Sequence, residues 1–137
     1  MHAPDAVVAD AHGCGCVRAA DADGRAGRVR VLANVRDRFG DDVVRSRFDG
    51  LRIERNVVWR VDRSGIAAQS HHWPRYRWFP SLRVVIRDNF VADTGGDGIV
   101  PWATEGALVE HNVLRGANMR AGSYNAGIWP WSADRTR

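Results

Sequence analysis

An asparagine that returns at near-regular intervals, always behind the same alternation of apolar residues, constrains this chain more than any other feature. Asn34, Asn56, Asn89 and Asn112 each stand three positions after a β-branched residue, namely Val31, Ile53, Ile86 and Val109, and five after Val29, Leu51, Val84 and Ala107. Apolar residues at every second position mark a strand with one buried face. Further apolar residues come one or two positions after each anchor: Val35, Val57 with Val58, Phe90 with Val91, and Val113 with Leu114. Ten positions beyond the first three anchors stand Val44, Ile66 and Ile99, and the fourth segment reaches its own Gly127-Ile128 six residues late.

The anchors lie 22, 33 and 23 residues apart. A unit of roughly 22 residues, with short strands and turns in fixed order and no helical period, is a repeat architecture. The long interval is explained by an insertion at 71–81, whose two prolines and lost alternation mark a loop. A second projection falls within about 115–125.

The expected fold is therefore all-β, a right-handed parallel β-helix (solenoid) with about four to five coils of roughly 22 residues. It occupies residues 29–137, with residues 1–28 forming an irregular N-terminal coil or cap. In such a stack equivalent residues form ladders about 4.8 Å apart. Val31, Ile53, Ile86 and Val109 are expected to line the interior together. The asparagines are expected at left-handed bends, with their amides bonded from coil to coil.

Composition excludes several classes. At 137 residues, 45% hydrophobic and 26% charged, the chain has the make-up of one domain with a continuous core, not of a disordered segment. All 20 basic residues are arginine and the formal charge is only +4. The pairs Arg28/Arg30, Arg36/Arg38, Arg45/Arg47 and Arg75/Arg77 have the spacing of one strand face and are spread along the chain, which argues against nucleic acid as a partner. Cys14 and Cys16 are too close to close a useful loop or complete a zinc site. No apolar run is long enough to span a membrane, and Met1–Asp10 lacks a basic region followed by an apolar core. The repeat breaks off at 131–137 where another strand is expected, so the expectation is a fragment of a longer, extracellular parent.

The segment Ile86-Arg-Asp-Asn-Phe-Val with Gly-Asp-Gly98-Ile, written again as Val109-Glu-His-Asn-Val-Leu with Gly127-Ile128, resembles the right-handed parallel β-helix repeat proteins of the pectate-lyase-like superfamily. The resemblance covers roughly residues 29–134. It implies a carbohydrate-active domain, a polysaccharide lyase or a glycoside hydrolase, with a non-catalytic glycan-binding or structural module as the alternative. Gly40-Asp41-Asp42-Val43 is faintly similar to the paired-aspartate motif of polygalacturonase-type hydrolases, but the Gly-His-Gly and Arg-Ile-Lys motifs that accompany it there are missing. With no lysine in the chain, a lyase base would have to be an arginine such as Arg87, Arg115 or Arg120.

Three groups of residues are candidates for chemistry. Asp93 and Asp97 lie on the Gly-rich turn Asp93-Thr-Gly-Gly-Asp-Gly98, where two carboxylates can divide acid and base roles across a glycosidic bond or hold a divalent cation such as calcium. The alternative is a turn whose carboxylates accept local backbone N–H groups. The repeat itself does not require acids there, since Arg60 and Ser64 hold the equivalent positions. His111, with Asp88 one coil away, is a candidate acid or base. It is also one rung of two ladders of alternating sign, Arg55/Asp88/His111 and Glu54/Arg87/Glu110.

Trp102 and Trp131 occupy matching positions in Ile-Val-Pro-Trp and Ile-Trp-Pro-Trp. With Trp129 and Tyr124 they can stack on sugar rings, and Arg120 and His72, on the two projections, complete the candidate binding set. The alternative is packing beneath the insertion, which carries Trp73, Trp78 and Phe79. The expected partner is a polysaccharide or oligosaccharide, with neither nucleic acid nor membrane.

Overall fold

The computed structural model describes residues 6–9, 16–17 and 29–32 as backbone strands, and residues 47–70, 78–120 and 124–137 in full. Among these residues there is no helix, and every paired strand is parallel to its neighbour. From residue 47 onward the chain visits four sheets in the same order, three times over. The first sheet receives β7 (Ser81–Leu82) and β11 (Thr104–Glu105), extended by bridges at Asp49 and Asp134. The second holds β4 (Arg52–Glu54), β8 (Val85–Arg87) and β12 (Leu108–Glu110). The third holds β5 (Val57–Val61), β9 (Phe90–Thr94) and β13 (Val113–Arg115). The fourth holds β6 (Ile66–Gln69) and β10 (Ile99–Trp102), with Ile128 bridged to Ile99. This all-β, all-parallel arrangement is compatible with a parallel β-helix.

Before residue 47 the register differs from the one the Asn34 alignment leads one to expect. Val31 of β3 (Val29–Leu32) pairs with Ala68 and not with Ile53, whose neighbour is Val17 of β2 (Cys16–Val17). β1 (Ala6–Ala9) pairs in turn with β3. The reason is that an apolar alternation specifies which face of a strand is buried but not which sheet the strand joins. Asn34 lies outside the described residues.

From Phe48 on, the sequence ladders are the core. Leu51, Val84 and Ala107 stack, as do Ile53 with Ile86, Val58 with Val91, and Ile66 with Ile99, all at most 1% exposed. Each large aliphatic side chain so buried contributes roughly 1.5–3 kcal/mol. Between the second and third sheets runs the asparagine ladder. Asn56 Nδ2 donates to Asn89 Oδ1 at 2.9 Å, and Asn89 Nδ2 donates to Asn112 Oδ1 at 2.9 Å. The same oxygens accept the backbone N–H groups of Asn56 and Asn89 at 3.0 and 3.1 Å. The left-handed bend falls one residue earlier than expected, at Arg55, Asp88 and His111, with φ of 55°, 55° and 51°. Each asparagine is thus free to turn its amide along the stack while its predecessor makes the corner.

Outside the second sheet, the alternating charges form an ion-pair ladder. Glu54 meets Arg52 at 2.6 Å and Arg87 at 2.8 Å, and Arg87 approaches Glu110 at 4.0 Å. Burial alone raises the Glu54 carboxyl, and this is the largest single influence. Hydrogen bonds and charge from Arg52 and Arg87 together outweigh it, so the carboxyl titrates below its ordinary 4.5. A lowered folded-state value means that the stabilisation is present above the unfolded value and is lost as pH falls through the folded one. Wild type is expected to lose more of its urea midpoint than Glu54→Gln when pH drops from about 7 to about 3. Equal losses would show that the pair adds nothing to acid stability.

The insertion is closed at its base. Ser70 Oγ donates to the Ala103 carbonyl at 2.7 Å and accepts the Ser81 N–H at 3.1 Å, so the chain re-enters the stack at Ser81, the last residue of the expected loop and the first of β7.

Candidate functional site

The outer face of the third sheet carries a concavity. In β5 and β9 the second residue after the anchor asparagine, Val58 or Val91, is fully buried, and Leu114 of β13 is partly buried on the same face, so the residue before each must face outward. Val57, Phe90 and Val113 accordingly form an exposed apolar column at 41%, 38% and 55% exposure. In β5 the left-handed Arg60 breaks the alternation, and Trp59 and Arg60 both project outward with the guanidinium 4.9 Å from the indole centre. Val57, Trp59, Phe90, Ala92, Gly116 and Met119 shape a groove of about 460 Å³, with Asp93 and Arg115 at its polar rim. Trp59 is a residue that the sequence reading missed. The available signal was the run of three apolar residues after Asn56, Val57-Val58-Trp59, when one inward face needs only one.

Asp93 lines this groove and is held from two directions. Arg120 Nη1 donates to its Oδ1 at 2.5 Å and Arg60 Nε lies 3.8 Å from its Oδ2. Arg120 also donates through Nη2 to the carbonyls of Asp93 and Val61, each at 2.9 Å. The segment behind Arg120 is stitched to the turn at 94–96: Asn118, Met119 and Arg120 donate their N–H groups to Gly96, Thr94 and Gly95. The second projection is therefore one wall of the groove.

Asp97 is placed differently. It is only 5% exposed; its Oδ1 accepts the Ala126 N–H at 2.8 Å and its Oδ2 accepts from Ser64 Oγ at 3.4 Å. It braces the turn and does not line the groove. Among the described residues no three acidic, histidine or cysteine side chains come together. His111 stands outside the groove on the corner it shares with Asp88, 3.9 Å away, with three quarters of its side chain exposed.

The tryptophans do converge. Trp102 stacks on Trp131 at 4.4 Å between ring centres, and Trp129 stacks on Trp131 at 5.1 Å, both nearly parallel. Trp78 donates Nε1–H to the Ser132 carbonyl, next in sequence to Trp131, at 2.8 Å. Trp131 is the shared member, so much of the aromatic face area is used within the stack. Tyr124 is 87% exposed and makes no ring contact among the described residues. His72 lies outside the described residues.

What fold and site define together is an all-parallel β protein with an aromatic and apolar groove, edged by one carboxylate and several guanidinium groups. One curated relative is similar: a lacto-N-biosidase of Bifidobacterium longum subsp. longum, 31% identical over 113 residues. The similarity takes in 63% of this chain and only 7% of that relative. No family model matches the chain, and no solved structure matches it. No helix among the described residues is long and apolar enough to cross a membrane.

Proposed function

We propose that the chain is a carbohydrate-active β-helix domain, right-handed with about four to five coils and of the pectate-lyase-like kind, related to a glycoside hydrolase and belonging to an extracellular parent. Its sugar-binding surface is the groove on the third sheet. The observation that carries this reading is the groove itself: exposed Trp59 and Phe90 offer faces for sugar rings beside the Asp93 carboxylate, in a chain similar to a relative named for glycosidase activity. Trp102, Trp129 and Trp131, with Tyr124 and Arg120, are secondary contacts on the same glycan. Asp93 is the candidate acid or base, and His111 and Asp97 support it from outside the groove.

A second reading, glycan binding without turnover, is favoured by Asp97. Glycoside hydrolysis ordinarily uses two carboxylates flanking one bond, and Asp97 is buried and committed to Ala126 and Ser64.

One experiment tests both. Wild type, Trp59→Ala and Asp93→Asn are titrated with a panel of oligosaccharides, and reducing ends and absorbance near 235 nm are followed in parallel. Trp59→Ala is expected to weaken binding about tenfold, the loss of one aromatic platform. Turnover that disappears in Asp93→Asn with binding retained marks the enzyme; binding without turnover marks the module. Absence of glycan binding by folded wild type overturns the proposal.

A further inference from the structure

Register adds a finer feature to the groove. In the third sheet Trp59, Ala92 and Arg115 are consecutive partners across β5, β9 and β13. The two flanking side chains are large and the middle one is a methyl group that is itself 7% exposed. Neighbouring strands are about 4.8 Å apart, so Trp59 and Arg115 face each other across two spacings, about 9.6 Å, over a floor one methyl deep. Phe90 and Met119 border the floor along the strand direction. The result is a notch with an indole at one end and a guanidinium at the other, close to the size of one pyranose ring.

The electrostatics of the notch are one-sided. Its single lining carboxylate, Asp93, is shared by Arg120 and Arg60, which already exceed its charge. Arg115 is then a further cation at the same rim, and its guanidinium has no ion pair or hydrogen bond with any described residue. A planar guanidinium offers a paired set of donors that suits a carboxylate or an ester of sulfuric or phosphoric acid. Resting on the glycan-binding reading above, we infer that the notch is a subsite for one anionic sugar, with Trp59 against the apolar face of the ring and Arg115 pairing with its acidic substituent.

Saturation-transfer NMR on the full chain tests this with matched methyl glycosides: glucuronate against glucose, galacturonate against galactose, and galactose 6-sulfate as the ester arm. The acidic member of each pair is expected to bind about tenfold more tightly than the neutral one, and Arg115→Gln to erase that difference. Arg115→Lys should restore part of the preference, and raised salt should weaken only the acidic ligands. A preference for the sulfate ester over both uronates identifies the acid group as an ester; the reverse identifies a carboxylate. Neutral and acidic sugars bound alike by wild type, with Trp59→Ala still weakening both, would overturn the anionic subsite and leave the glycan reading intact. If neither class binds, or Trp59→Ala changes nothing, both fall together.

Discussion

Replacing Asn89 with alanine is expected to destabilise the protein by about 3–5 kcal/mol, as several buried groups lose partners worth about 1–3 kcal/mol each. The side chain sits in the middle of the amide ladder, 1% exposed. Its oxygen accepts both the backbone N–H and the side-chain amide of Asn56. Its nitrogen donates to the Ile53 carbonyl at 2.9 Å and to Asn112. Alanine would leave the two Asn56 donors and the Ile53 carbonyl without these bonds in a site closed to water. Domains of ordinary stability have only about 5–15 kcal/mol to lose. Asn112 is the comparison. It is half-buried at the far end of the described ladder, so its alanine variant should cost about 1–2 kcal/mol. Urea unfolding of the two variants beside wild type is the measurement. A cost below about 1 kcal/mol for Asn89→Ala, or equal costs for both, would show that the amides are spectators of a fold held by its aliphatic ladders.

The same ladder shows how far the sequence could be read. Alternation about Asn56, Asn89 and Asn112 identified the inward residues, because a period of two leaves only one face to bury, and Leu51, Ile53, Val84 and Ile86 lie where it placed them. The match between Arg60 and Asp93 and between Ser64 and Asp97 was likewise legible, and the first pair meets across adjacent strands and the second across the turns that follow them. Other features had no local signature. Val31 carries the same pattern as Ile53 yet pairs in another sheet, since its partner is set by chain length between strands and not by its neighbours in sequence. The left-handed corner falls on Arg55, Asp88 and His111, residue types that no rule of turn composition would single out together. Asp93 and Asp97 look equivalent in sequence, but one lines a groove and the other is buried under Ala126. That difference arises from the second projection, whose backbone folds onto the turn between them.

That turn is also where a single methyl group should do the most damage. Gly95→Ala is expected to cost about 3 kcal/mol or more, the upper end of overpacking effects. A Cβ on Gly95 would stand 1.9 Å from the Asp62 carbonyl oxygen and 2.6 Å from its carbon. These are backbone atoms of the preceding pass of the chain, held there by the Gly95 N–H bond to Val61 at 2.7 Å. No rotamer change can relieve the contact, so the stacked backbones must move apart. Gly106→Ala is the control, because its φ of 69° exacts the left-handed penalty of roughly 1–2 kcal/mol while no atom lies within 4 Å of the added carbon. If the two variants unfold at the same urea concentration, close backbone stacking is not what selects glycine at 95. The consequences also separate at the groove. Gly95 accepts the Arg120 N–H, and Arg120 in turn holds Asp93, so Gly95→Ala should displace the wall bearing Met119 and weaken the proposed glycan binding even where the fold survives. Gly106 lies in the turn after β11, away from the groove lining, and its variant should bind as wild type does.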